Sequence, residues 1–333
     1  MPIFTLSRSK LDVSPADVGR RLAIHYRAGL RQEKDVIGVL FRWTGGEKGI
    51  LRVRLRSGSS VGIRVKDIIS MRVYPPEASA YTMQRLAEDS WPPIEVAGLD
   101  NWSLRAGEGA TSRSNSVRVT GPARSDLGET LEKVKKWYRE RQLAPQLQVP
   151  SPSGFADELR AHHWEVRRSS SLMVVSVPLL LESTSSGQDR RDLLVENTPE
   201  PDEEWLNFIP KYGSDTSAEY RHALGQDLPK AFVYCRNSQG DLLGIGSAVH
   251  LDSWCSNTLI VVSPSARRAG VATAVIRSLA EWGLDTGARH WFLQFFQSNS
   301  AVLNFTETLG FTTHHRYDYW FPAETDPGSE SDV

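Results

Sequence analysis

Arg267-Arg268-Ala269-Gly270-Val271-Ala272 is the stretch on which the fold turns. It follows an apolar run, Leu259, Ile260, Val261 and Val262, and opens a segment over 271–284. In that segment Val271, Val275, Leu279 and Trp282 recur at helical spacing, while Arg277, Glu281 and Asp285 fall off that face. Pro264 closes the strand, because proline cannot continue a ladder, and Gly287 is placed to stop the helix. A basic, glycine-bearing turn between strand and helix is an anion cradle. Backbone N–H groups converge there, and the positive end of the helix dipole adds to them. Gly270 lacks a Cβ, so a phosphate can come close to the backbone; Arg267 and Arg268 add charge and bidentate donors. The reading predicts a ligand that carries a pyrophosphate. The bland alternative is an arginine-capped turn in an α/β domain.

Outward from the turn come a short strand over 291–296, Asn299, a helix over 300–309 and the pair Gly310-Phe311. This order resembles the GNAT superfamily of N-acetyltransferases. Its phosphate loop reads Q/R-x-x-G-x-G/A and its later segment N-x-x-A-x-x-L-Y-x-x-x-G-F, which Asn299, Gly310 and Phe311 match in spacing. The resemblance implies an α/β class protein, an α+β fold on a mixed sheet, with acetyl-CoA as cofactor. It places the amides of Arg268, Ala269, Gly270, Val271, Ala272 and Thr273, with the Thr273 hydroxyl, on the pyrophosphate. The backbone of 259–262 lies along the pantetheine arm, an N–H near Val261 serves the oxyanion, and Asn299 sits near the pantetheine or the leaving thiol.

The family's tyrosine, which protonates the departing thiolate, falls on Thr306, and a threonine hydroxyl is a poor acid. Tyr317 and Tyr319, on a strand over 315–321, are the alternative acids; residues two apart share a strand face. Candidate bases are Glu307 on the last helix and Asp252 before the central strand, then Glu196, Glu203, His250 and His315. Each is otherwise a solvated or structural group. The implied function is transfer of an acetyl group by direct attack of an acceptor amine, small molecule or protein. Thr306 keeps an alternative open: a CoA-binding regulatory or scaffold protein with the N-terminal barrel as its interaction module.

Short strands over 20–26, 35–41, 49–56, 60–65 and 70–73, split by glycine turns, resemble a Src-homology-3-like barrel and give a small all-β domain at 1–76. Arg52, Arg54 and Arg56 alternate with Leu51, Val53 and Leu55, one face solvated and one buried. Residues 1–76 hold 15 Lys and Arg against 6 Asp and Glu; the whole chain holds 39 against 40, so the remainder is strongly acidic. Such asymmetry fits nucleic-acid binding, attraction between domains, or self-association. The lack of an aromatic stacking platform argues against nucleic acid.

Residues 95–180 read as a faint copy of the last elements. Trp137 precedes Leu147 by ten, as Trp282 precedes Phe292. The matching cradle falls on Pro122-Ala123-Arg124-Ser125-Asp126-Leu127. Pro122 has no N–H, and Asp126 suits a helix cap better than a phosphate site. Strands are expected at 102–106, 116–120, 146–149 and 172–177, and helices at 126–142 and 154–162. The chain thus divides into 1–76, a degenerate half at 77–182, a Ser/Thr/Gly linker at 183–190, a complete half at 191–321 and a disordered acidic tail at 322–333. Over almost its full length it resembles an actinobacterial group that joins such a barrel to two GNAT-like halves. Arg113 and Asn115, in a polar loop at 111–116, bind an acceptor carboxylate or close the interdomain cleft, or else hydrogen-bond a turn.

No stretch nears the roughly 18 consecutive apolar residues of a membrane span, and the first ten residues lack an apolar leader. The expectation is a cytoplasmic protein with no membrane partner. Cys235 and Cys255 read as reduced packing residues, and the histidines show no metal-ligand spacing.

Overall fold

The computed structural model describes residues 21–29, 32–44, 49–55, 59–73, 79–185, 192–212 and 218–323. They fall into two compact units, Met1–Ala78 and Ser79–Val333.

In the first unit β1 (Arg21–Arg27), β2 (Glu33–Trp43), β3 (Ile50–Leu55), β4 (Ser60–Arg64) and β5 (Ile68–Val73) form one antiparallel sheet in the order β4-β3-β2-β1-β5. A single 3-10 turn, Val65–Asp67, precedes β5. Alternation sets the faces. Leu51 and Val53 are buried with Leu22, Ile24, Leu40 and Ile63, while Arg52 and Arg54 face outward and Arg54 lies 5.0 Å over the Phe41 ring. Arg56 lies outside the described residues.

The second unit is built on one mixed sheet of eleven strands. Its elements are α1 (Ala80–Asp89), β6 (Glu95–Leu99), β7 (Trp102–Ala106), β8 (Val117–Arg118), α2 (Leu127–Arg139), β9 (Leu147–Ser151), α3 (Ala156–Ala161), β10 (Trp164–Ser176) and α4 (Val177–Ser185). There follow β11 (Leu194–Thr198), α5 (Glu203–Tyr212), α6 (Ala218–Leu224), β12 (Lys230–Arg236), β13 (Leu242–Leu251), β14 (Trp254–Val262), α7 (Val271–Asp285), β15 (His290–Phe296), α8 (Ser300–Thr308) and β16 (Thr312–Pro322). The strand order is β11-β12-β13-β14-β15-β10-β16-β9-β8-β7-β6.

The repeat is visible in this order. The series β8-α2-β9-α3-β10 is matched by β14-α7-β15-α8-β16, and the parallel pairs β8·β9 and β14·β15 take equivalent places. The halves exchange their last strands: β10 sits between β15 and β16, and β16 between β10 and β9.

The expected linker begins inside α4. Leu180 is buried, Thr184 Oγ1 donates to its carbonyl at 2.9 Å, and Arg277 of α7 donates to the Leu181 carbonyl at 3.3 Å. Packing on α7 thus keeps Ser183–Ser185 helical despite their modest propensity; 186–190 lie outside the described residues. Pro322, expected to open the tail, ends β16, and 324–333 also lie outside.

Helix α7 lies close on β13 because two strand positions carry no side chain. A Cβ at Gly246 would stand 2.3 Å from Val275 Cγ1, and one at Gly244 2.6 Å from Val271 Cγ1. Val271, Val275, Ile276 and Leu279 fill the core with Ala248, Cys255, Trp291 and Leu293.

Candidate active site

Strand β14 pairs with β13 to its end, but with β15 only at Trp254↔His290, Cys255↔Trp291 and Ser256↔Phe292. Past Ser256 the parallel strands part and leave a wedge. Ser263 N donates to Leu243 O at 2.9 Å. By the alternation of an antiparallel ladder, the amides of Leu259 and Val261 point to β13, while those of Ile260 and Val262 point into the wedge. Of the N–H groups near Val261, those of Ile260 and Val262 are therefore the ones that face the wedge.

The chain leaves β14 through a 3-10 turn, Pro264–Ala266, and enters α7 by a left-handed turn with Arg268 at φ 63 and Gly270 at φ 83. Arg267 and Ala269 donate back to Pro264 and Ala266 at 3.4 and 3.3 Å. Gly270 is the N-cap and offers no side chain. Helical geometry leaves the amides of Gly270, Val271, Ala272 and Thr273 without intrahelical acceptors. The first such bond is Ala274 N to Gly270 O, 2.9 Å. The ends of α2 and α8 differ, being capped by Asp126 on Glu129 N and by Asn299 on Val302 N. A bare helix start with two exposed arginines beside it is suited to a phosphate.

The equivalent turn in the first half carries its own anion. Asp100 Oδ2 accepts from the amides of Arg124 and Ser125, the latter at 2.9 Å.

A cavity of about 690 Å³ opens near the wedge on the sheet face turned away from α7. Trp291 and Leu293 pack with α7, so Phe292, Gln294 and Phe296 project to the other face. Ser170, Tyr317 and Tyr319 join them across β10 and β16, in register with Phe296 and Arg168. The loop Thr111, Ser112 and Arg113, the start of α8 at Asn299 and Tyr220 of α6 complete the wall. Tyr317 donates to Gln294 Oε1 at 2.9 Å, while Gln294 Nε2 is buried with no hydrogen-bond partner among the described residues. Burial, followed by the mutual influence of the two rings, pushes the Tyr317 phenol well above its ordinary pKa; burial raises Tyr319 too, against the lowering pull of Arg105. Both phenols are therefore protonated at neutral pH, and Tyr317 acts as a donor.

The cavity gathers Tyr317, Tyr319, Asn299 and Arg113 from the residues singled out in the sequence, and leaves others elsewhere. Asn115 ties the loop instead, accepting from Gly107 and Gly109 and donating to Thr111 O and Glu219. Thr306 is in the core, its hydroxyl donating to Leu303 O beside Met173. Glu307 is exposed on α8 and does not line the cavity. Asp252 occupies the turn before β14 at φ 54, separated from the cradle by the nine residues of that strand, about 30 Å. It lines a different cavity with Arg85, Glu88 and Asp89. Neither carboxylate lines the cavity of Tyr317 and Gln294. Glu196 and Glu203 are exposed, and the His250 ring packs on Trp282 at 6.5 Å. His315 accepts from Gln84 at 2.8 Å, and burial, with His314 beside it, lowers it to about 4. Gln294 and Arg168 were not foreseen. The signal for Gln294 lay in the triplet Leu293-Gln294-Phe295, which echoes Leu147-Gln148-Val149 one residue out of the register set by Trp137 and Trp282.

Among the described residues no helix is long and apolar enough to cross a membrane, and no cluster of His, Cys, Asp and Glu could hold a metal ion.

A family model described as "Probable histone acetyltransferase Rv0428c C-terminal" matches residues 81–320. The chain is 26% identical over 335 residues to the probable histone acetyltransferase Rv0428c of Mycobacterium tuberculosis, covering 94% of this chain and 98% of that one. It is 26% identical over 242 residues to the uncharacterized N-acetyltransferase YobR of Bacillus subtilis, covering 71% and 96%. A solved GCN5-related N-acetyltransferase from Kribbella flavida superposes with a TM-score of 0.55 at 13% identity, covering 73% of this chain and 96% of that one. Matched by the family model over most of its length and built on the same fold, the chain belongs to this family of GNAT-type N-acetyltransferases.

Proposed function

We propose that the chain transfers an acetyl group from acetyl-CoA to an amine held in the cavity of Arg113, Gln294 and Tyr317. The observation that carries this reading is the uncapped, left-handed turn through Arg268 and Gly270, set at the mouth of the β14–β15 wedge. Four amides and two arginines hold the pyrophosphate, and the backbone of Ile260 and Val262 takes the pantetheine arm as an added strand would be taken. The acetyl group then reaches the far face, where the amine attacks the thioester carbon. The C–N bond forms, the C–S bond breaks, and Tyr317 gives its proton to the sulfur. The proton lost by the amine goes to water, from which Tyr317 is reprotonated; no carboxylate or imidazole lines the cavity among the described residues.

The first unit is read as a Src-homology-3-like module. The order β4-β3-β2-β1-β5 and the single helical turn before β5 support this. A cytoplasmic location belongs to the same reading.

Calorimetric titration of acetyl-CoA into the wild type and into a folded Gly270→Glu variant tests the proposal. Binding by the wild type alone is expected. No binding to the wild type would sink the acetyl-CoA reading, and equal binding by both would move the pyrophosphate to another loop.

A further inference from the structure

The cavity has a charge that the transfer reaction does not require. Arg113 and Arg168 both line it, and no aspartate, glutamate or histidine does among the described residues. Neither arginine is in an ion pair with a described carboxylate. Arg113 rests on the Trp91 ring with its guanidinium carbon 5.1 Å from the centroid. Arg168 donates to Ser112 Oγ at 3.0 Å and lies over Phe321 and Phe296 at 5.4 and 5.8 Å. The rings attract both guanidinium groups while leaving N–H donors for a ligand. Glu219, the carboxylate behind the loop, is fully buried and engaged by Ala110 N, Thr111 Oγ1 and Asn115 Nδ2. It therefore positions the 110–115 loop. Between the arginines and the wedge, Gln294 Nε2 is a buried donor without an acceptor, a group that costs stability unless something completes it.

Resting on the acetyl-CoA reading above, we infer that the acceptor is a small amine that also bears an anionic group, a carboxylate or a phosphate. The structure assigns Arg113 and Arg168 as its specificity-determining residues. The anion lies between the two guanidinium groups, and the amine is directed toward Tyr317 and the wedge. A lysine-rich tail, with cationic groups flanking the reacting amine, meets like charge here.

The test measures CoA release by the full chain with matched amines: amino acids against their amides, O-phosphoethanolamine against ethanolamine, and spermidine and a lysine-rich peptide as cationic members. The anionic member of a pair is expected to have a kcat/KM higher by about tenfold to a hundredfold, chiefly through KM. Arg113→Gln and Arg168→Gln should each erase most of that preference while the calorimetric Kd for acetyl-CoA stays unchanged. The carboxylate and phosphate pairs tell the two anions apart. Equal or better turnover of neutral or cationic amines overturns the inference, as does a preference that survives in both variants. Acetyl-CoA binding with no anionic amine consumed overturns it as well. Loss of acetyl-CoA binding itself in the wild type would instead remove the reading beneath it.

Discussion

The carboxylate of Asp100 accepts the backbone amide of Ser125 at 2.9 Å, in the turn that corresponds by repeat to the glycine turn before α7 in the second half. Arg124 donates to the same oxygen. An anion of the chain's own thus satisfies the amides that an incoming phosphate would need, and Asp126 caps the helix behind them. One acetyl-CoA per chain is expected from calorimetric stoichiometry. Asp100→Ala should lower stability by about 0.5–1.5 kcal/mol through the two hydrogen bonds lost at exposed amides, and added inorganic phosphate should restore more melting temperature to it than to the wild type.

Gly246 has no room for a methyl group, since a Cβ there would lie 2.3 Å from Val275 of α7. Gly246→Ala must push the helix away from β13 or force Val275 off its rotamer. A loss of about 1–3 kcal/mol in urea unfolding is expected. Gly240→Ala, in the open hairpin turn, tests only backbone strain, and a loss as large there would contradict the packing argument.

A directed chain of side chains ends at His315. Arg105 donates to Gln148 Oε1, Gln148 Nε2 to Gln84 Oε1, and Gln84 Nε2 to His315 Nε2. Arginine cannot accept, so the direction is fixed and His315 Nε2 must be unprotonated. Its pKa is lowered from 6.5 to about 4 by burial and by His314. A base whose folded pKa is depressed contributes stability above the unfolded value and loses it as pH falls. Stability should therefore decline between about pH 6.5 and 4, by on the order of 3 kcal/mol from this group. His315→Gln should flatten that part of the pH–stability curve; an unchanged slope would refute the assignment.

Tyr317 is the phenol hydrogen-bonded to the orphaned amide side chain. Tyr317→Phe should lower kcat by about a hundredfold or more if it is the proton donor, with the acetyl-CoA Kd unchanged. Tyr319→Phe should cost far less. Equal losses would mean that the pair acts only by shaping the cavity.

Cys235 and Cys255 are buried, and burial pushes their thiols up to about 11 and about 12. Neither should react with a thiol reagent at pH 8 in the native protein, while both should react in denaturant. Rapid native labelling would show that β12 or β14 opens.

The sequence was most legible where local physics and tertiary structure agree. Strand β14 ends in the apolar run over 259–262, and α7 starts at Val271 because the glycine turn and the apolar spacing both demand it. The Asp126 cap was equally plain. Elements whose identity comes from contacts distant in sequence were not legible. Strand β6, Glu95–Leu99, is mostly exposed and has little alternation. The end of helix α4, Ser183–Ser185, is read as linker by composition and is helical through the packing of α4 on α7. At the candidate site, the glycine turn before α7 was legible as a local motif. The cavity was not, because Arg113, Arg168, Gln294 and Tyr317 come from separate parts of the chain brought together by the strand exchange.

That exchange also dictates the order in which the chain can fold during synthesis. Strand β9 is complete by Ser151, yet its antiparallel neighbour is β16, the last strand to be made. Until residues 312–322 have left the ribosome, β9 presents an open edge, and β10 lacks both of its neighbours until β15 and then β16 arrive. A nascent chain halted after residue 190 therefore carries exposed, strand-forming surface with nothing of its own to cover it. The eleven-stranded sheet is complete only when β16 has been made.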